Sequence, residues 1–477
     1  MNTFTNADWA AILPAAVVGA GALLVLFVDL VSRGHAKRYV SLGLGILIAV
    51  AGGYFAAKQY GTNYSAFSGG FVVGGFASVF QEIVLAALAG SLALYGAIGK
   101  EERIAGATAL MLWAAAGAMV MAGAANLMTI FLGLELLSLA LYCLCGLSDR
   151  NPARESALKY LILSSTASGF MIFGMALLFG ASGSVQLADL ANPALAHSPL
   201  LWMGAAFFFV GIAFKLSLVP FHAWSPDVYE GAPLPVTAFM SVATKAGTLA
   251  VLARFIYAAL PGGVADRLLL PIWIVAGISM IAGNVGMLAQ HDLKRLLAYS
   301  GIAQVGYILT ALAGSTALGL RYAIYYLAAY TLMNLGAFAV AAVLSGDAEE
   351  GSRLATYRGL AGRKPLLAAA MTIFLLALAG LPPTAGFLGK ILILETGAFT
   401  GYWWLGALLI VGTAISLFAY AKVIRAMYTP GGSGERTGHE ATGAVPLAWA
   451  SVAICAVLVV AMAFYPLTPS AILPLVR

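Results

Sequence analysis

Fourteen stretches of about twenty apolar residues follow one another along the 477-residue chain, parted by short polar turns. About twenty apolar residues in a helix cover the hydrocarbon core of a bilayer. In lipid, each backbone N–H and C=O has to be bonded within the segment itself. The expected fold is therefore an all-α polytopic membrane protein with about 14 transmembrane helices. The composition is 62% apolar and only 9% charged, against about 45–50% and about 25% in soluble domains.

The net charge of +6 would suggest nucleic acid in a soluble chain. Here the cations cluster in short loops, so no nucleic-acid partner is expected. Sixteen of the 25 Lys and Arg residues fall on one set of loops and five on the opposite set. Cytoplasmic loops carry the excess of cations, so an even number of spans puts both termini outside. MNTFTNADW precedes the first apolar run without a Lys or Arg, which reads as a retained first span rather than a cleaved signal.

Several chemistries find no residues to carry them. Cys143 and Cys145 are one residue apart and Cys455 is distant, a spacing that suits neither a metal nor a redox dithiol. His35, His197, His222, His291 and His439 form no evident pair within a span, which argues against haem. No glycine-rich phosphate loop appears, and no cofactor or metal is expected in this chain.

The informative residues are the charges inside apolar runs: Glu135, Lys159, Lys215, Lys245 and Lys390. A charge at membrane depth costs roughly 3 kcal/mol or more and usually marks an ion or proton path. Glu135 lies about ten residues, hence roughly 15 Å, from either end of NLMTIFLGLELLSLALYCL. It reads either as a protonated hydrogen-bonding residue or as an ionised partner of a lysine. Lys245, in FMSVATKAGTLAVLARF, is too deep to extend its ammonium to water. Lys215 precedes LSLVPFHAWSPDVYEGAPLP, and Lys390 follows GLPPTAGFLG. Proline removes a backbone donor and frees carbonyls. Such breaks persist at membrane depth only where they are buried or face a watery cavity. A pair of broken spans, at 200–220 and 365–396, is also the sequence trace of inverted repeats around a transport site. The bland readings are an extended Lys215, a Lys390–Glu395 pair, a structural His222 and a locally paired Lys159. Tyr299, Ser300, Gln304 and Tyr307 form a polar stripe that either bonds between helices or lines a wet path.

Three stretches carry a family resemblance: FKLSLVPFHAWSPDVYEGAPLPVTAFMSVATKAG, HDLKRLLAYSGIAQVGY and GLPPTAGFLGK. They resemble the antiporter-like membrane subunits of the proton-pumping NADH:quinone oxidoreductase, respiratory complex I, and among these the subunit N family. The likeness runs from about residue 120 to 428. The sister subunits L and M typically read HxWLPDA at the first stretch, and M usually has glutamate at the position of Lys390.

The resemblance implies one transmembrane domain over 1–477. Helices 1–3 occupy 9–103, and inverted repeats of helices 4–8 (104–258) and 9–13 (269–428) follow, with helices 7 and 12 broken and a final helix at 445–467. It implies a proton-translocating subunit of the oxidoreductase with no redox site of its own. Proton transfer would use Glu135, Lys215, Lys245, Lys390 and His222, with Glu135 paired to Lys215. NADH, FMN, iron–sulfur clusters and quinone would belong to partner subunits. The partners implied are subunit M and the small subunits K and J, in a bacterial inner membrane. The alternatives are a subunit of a multisubunit Na+/H+ antiporter and a non-catalytic membrane scaffold. Span 10 carries no acid to mirror Glu135, so one proton path is the simpler expectation.

Overall fold

In a computed structural model, residues 5–32, 36–98, 103–260, 265–312, 315–345, 352–430 and 445–464 are described. Helices make up most of them. In chain order they are α1 (Asn6–Val31), α2 (Ala36–Lys58), α3 (Gly75–Ile98), α4 (Ile104–Gly123), α5 (Leu127–Cys145), α6 (Asn151–Ser182), α7 (Pro199–Lys215), α8 (Trp224–Gly231) and α9 (Leu234–Arg254). Then come α10 (Ala265–Leu288), α11 (Leu293–Leu312), α12 (Ala317–Ser345), α13 (Leu360–Arg363), α14 (Pro365–Ala379), α15 (Ala385–Thr400), α16 (Trp403–Tyr428) and α17 (Val445–Phe464). Among the described residues 11 helices are long and apolar enough to cross a membrane, and α7 and α14 are shorter apolar helices. Much of the 429–440 connector lies outside the described residues, as do Arg33, Lys100, Arg436 and Arg477.

The helix order places the candidate site at the centre. Every residue of α9 is buried, while α1, α2, α6, α16 and α17 turn large side chains such as Phe27, Leu47, Phe173, Phe418 and Val457 outward. Side chains of that kind are at home against lipid tails. Burial by the hydrophobic effect does not hold helices together in lipid, so close backbone approach matters more. Gly117 and Gly133 bring α4 against α5. A Cβ on Gly117 would lie 2.5 Å from the Leu137 nitrogen and 2.7 Å from the Gly133 oxygen. Gly283 and Gly306 do the same between α10 and α11, where a Cβ on Gly283 would lie 2.7 Å from the Ala303 nitrogen.

The all-helical expectation needs one correction. Tyr64–Ala66 and Phe71–Val73 pair antiparallel, with Tyr64 opposite Val73. Phe67, Ser68 and Gly69 turn the chain at positive φ. The hairpin docks on the α4–α5 turn through Ala125 N–H to Gly70 O, 3.0 Å. A three-residue strand is too short to leave an alternating pattern that sequence reading would register.

Replacing Gly117 by leucine is expected to part α4 from α5 at a cost of about 1–3 kcal/mol or more. The unfolding midpoint of the detergent-solubilised protein should fall, and an unchanged midpoint would contradict the packing.

Candidate functional site

The chain breaks where proline withdraws helix donors. α14 stops at Ala379, with Gly380 as a left-handed cap at φ 82°. Continued helix would bond the carbonyls of Leu378 and Ala379 to the N–H groups of residues 382 and 383. Both are prolines and have none. These carbonyls bind Lys390 instead. From α15 its Nζ donates to Leu378 O at 3.2 Å, Ala379 O at 2.9 Å and Thr413 Oγ1 at 3.1 Å. The ammonium also lies 4.8 Å from the centre of the Tyr307 ring. Free carbonyls at a helix C-terminus form the negative end of its dipole, which favours a cation. Glu395 takes no part, since it accepts from the Tyr322 hydroxyl at 3.0 Å.

The first break is built differently. α7 ends on Lys215, and Ser217 (φ 58°) turns the chain away. Its Phe214 carbonyl is taken by Ser217 N–H at 2.9 Å and Trp224 Nε1–H at 2.8 Å. Lys215 therefore turns toward α6. Its Nζ donates to Ser164 Oγ at 2.8 Å and to Tyr160 OH at 3.4 Å. Glu135, on α5, accepts from Ser168 Oγ at 2.7 Å.

Among the described residues no ion pair joins Glu135 to Lys215, whose side chains each bond a serine of α6 instead. Ser164 and Ser168 are four residues apart on α6, one turn, and stand between carboxylate and ammonium. A hydroxyl serves both, because it can accept from the cation or donate to the anion.

Lys245, in the middle of α9, is fully buried and donates to the Tyr330 hydroxyl of α12 at 3.0 Å. The polar stripe of α11 runs from here toward Lys390. Ser300 bonds Tyr420 at 2.6 Å, and Gln304 accepts from Tyr326 and donates to Leu378 O at 3.1 Å. Tyr307 accepts from Asn284 at 2.7 Å. Of the two readings left open for Ser300, Gln304 and Tyr307, the structure shows bonding between helices. Leu378 O is shared by Gln304 and Lys390, so the stripe ends on the second lysine site. His222 is half-buried, with Nδ1 free of hydrogen bonds, and it bonds none of the three lysines.

At one end of the bundle, α6, α8, α11 and the segment at 352–353 border an open cavity of ≈ 540 Å³ lined mostly by charged side chains, with Ser156 and Ser352 among them. Lys159 pairs with Glu155 at 2.8 Å and with Asp227 at 3.3 Å, in keeping with its bland reading. Arg295 Nη1 bonds Asp227 at 2.8 Å and Glu230 at 2.7 Å, clasping α8 to α11. Ser156, Tyr160, Ser164 and Ser168 recur every fourth residue on α6, so one face runs from this cavity past Lys215 to Glu135.

Two cations assigned to loops are buried. Lys294 caps Ala232 O at 3.0 Å, and Arg254 bonds Ala122 O at 3.3 Å beside the Phe76 ring. Sequence reading passed over the α6 serines, although their fourfold spacing in LKYLILSSTASG was visible. Tyr330 and Thr413 gave no signal, because an uncharged hydroxyl does not stand out among the other tyrosines and hydroxyl residues of these helices.

Residues 124–416 match the family model described as NADH:quinone oxidoreductase/Mrp antiporter, TM. The chain belongs to this family. All five candidate proton-transfer residues lie inside the matched segment of this oxidoreductase/antiporter family member. It is 42% identical over 435 residues to NADH-quinone oxidoreductase subunit N 1 of Symbiobacterium thermophilum, covering 87% of each chain. It superposes on a chain of respiratory complex I from Thermus thermophilus with bound aureothin at a TM-score of 0.81 and 31% identity. That match covers 97% of this chain and 99% of the other. A chain of the membrane-bound sulfane sulfur reductase, an archaeal respiratory membrane complex, gives a TM-score of 0.83 at 23% identity, covering 96% and 94%. At that identity the likeness concerns the fold alone.

Partial burial works to raise the Asp227 carboxyl, but the hydrogen bonds from Arg295 and Lys159 outweigh it and hold the group below the usual carboxylate range. A depressed carboxylate contributes stability above its unfolded value of about 3.9 and loses it as pH falls further. Protection of the Trp224–Gly231 amides against hydrogen exchange should therefore stay flat between about pH 5 and 8. Asp227→Asn should lower that protection at neutral pH. Equal protection in the variant would show that the clasp does not hold α8.

Proposed function

We propose that the chain is a proton-translocating membrane subunit of an NADH:quinone oxidoreductase, with flavin, iron–sulfur and quinone chemistry held by partner subunits. The observation that carries this reading is a set of ionisable groups inside the bundle, the half-buried Glu135 and three lysines that are almost wholly buried. Each of Glu135, Lys215, Lys245 and Lys390 is hydrogen-bonded to a side-chain hydroxyl, a group that can both donate and accept a proton.

On this reading the state described has Glu135 withdrawn onto Ser168. Movement of Glu135 to within about 4 Å of Lys215 would add about 4 kcal/mol of attraction at an effective dielectric near 20. That is enough to fix a proton on Lys215, and its loss releases the proton. The released proton passes by way of water, with His222 a candidate station, to Lys245. It then follows the α11 stripe to Lys390 and the outside. The charged cavity beside α8 is the uptake side.

The topology proposed with this has fourteen crossings. α7 with α8, and α14 with α15, form broken helices 7 and 12, and α11 is one crossing despite its polar stripe. The segments from α4 to α9 and from α10 to α16 are inverted repeats. Support comes from one proline break in each, and from glycine contacts joining the first two helices of both. The excess of basic loops puts the charged cavity in the cytoplasm and both termini outside, in a bacterial inner membrane. Subunits M, K and J are the proposed neighbours.

The family includes antiporters, so cation exchange is the second reading. Proton pumping by the reconstituted complex tests both. Lys245→Ala should cut NADH-driven pumping by about tenfold or more, since removing a proton station raises the barrier by over ~1.4 kcal/mol. Wild-type pumping in the variant would end the proposal. Sodium-dependent exchange without NADH oxidation would favour the antiporter.

A further inference from the structure

Two glycines stand where a side chain would strike a lysine. A Cβ on Gly301 of α11 would run into the Lys245 ammonium and come within 3.0 Å of the Tyr330 hydroxyl. A Cβ on Gly380 would lie 2.7 Å from Lys390 Cδ and 3.3 Å from its Nζ. Gly380 is also required by its left-handed backbone, so its absent side chain has two explanations. Gly301 has no such second reason. It lies inside a regular helix, where glycine costs roughly 0.5–1 kcal/mol relative to alanine.

We infer that Gly301 is a positioning residue for Lys245, its missing side chain leaving the space in which the ammonium sits against α11 and donates to Tyr330. The inference rests on the reading of Lys245 as a proton station. Three elements meet at this point: α9 brings the cation, α12 the hydroxyl and α11 the gap. The nearest atoms to an added methyl are the ends of two side chains, and no backbone atom is among them. Gly117 and Gly283 differ, because added carbon there would meet the backbone of the neighbouring helix. An alanine at 301 would therefore displace the ammonium and leave the helices in place. A displaced ammonium loses its one acceptor among the described residues, since no other hydrogen bond of Lys245 is present.

The test uses the intact complex in inverted membrane vesicles, comparing wild type, Lys245→Ala, Gly301→Ala and Tyr330→Phe. Assembly is read on native gels, and pumping is read as the rate of proton uptake, alongside protons taken up per quinone reduced, from about pH 6 to 9. Gly301→Ala is expected to assemble like wild type and to pump several-fold more slowly. Its pH profile should be displaced by about one unit, in common with Tyr330→Phe, because each alters how the charged form is held. If Lys245→Ala abolishes pumping while Gly301→Ala keeps both rate and profile, the positioning role is wrong and the proton-station reading survives. If Lys245→Ala pumps normally, the station reading itself is wrong. Failure of Gly301→Ala to assemble would also overturn the inference, because alanine would then be costing helix packing rather than ammonium placement.

Discussion

The arrangement depends on finding oxygen acceptors for cations that the helices hold away from bulk solvent. An isolated ammonium in a dry interior is strongly unfavourable, and a hydrogen bond left unmade there costs more than one made on the surface gains. This protein meets the demand from two sources. Hydroxyls of Tyr160, Ser164, Tyr330 and Thr413 serve all three lysines, while main-chain carbonyls serve Lys390 alone. The second source exists because two consecutive prolines leave two consecutive carbonyls without helical donors. Helix interruption and cation binding are thus one structural fact seen from two sides.

The two halves answer the same problem unequally. Around Lys215 the carbonyls at the end of α7 are already taken, so the cation leans on hydroxyls and senses Glu135 across a pair of serines. Such an environment depends on where the carboxylate lies. Around Lys390 the acceptors are fixed backbone atoms at a helix terminus, and no carboxylate bonds the ammonium. Lys245, with a single hydroxyl, is the least supported of the three.

The charged groups were legible in the sequence because hydrocarbon makes any ionisable residue conspicuous. The breaks were legible because proline acts locally, on the donor it removes and the turn it blocks. Partnership was not. Glu135 and Lys215 were expected to pair from the family resemblance, with Lys245 a second base of the same half. Whether they touch depends on how α6 lies between α5 and α7. Lys294 and Arg254 looked like loop cations because sequence position near a helix end carries no information about what covers it.

The sequence by itself determined a polytopic helical membrane protein, the two proline breaks and the identity of the rare buried charges, since each follows from local chemistry in lipid. Only the tertiary structure decided which acceptor each cation meets, that serines stand between Glu135 and Lys215, and that a glycine on α11 faces Lys245. Those outcomes depend on helix rotation and crossing, which are set by contacts between segments far apart in the chain.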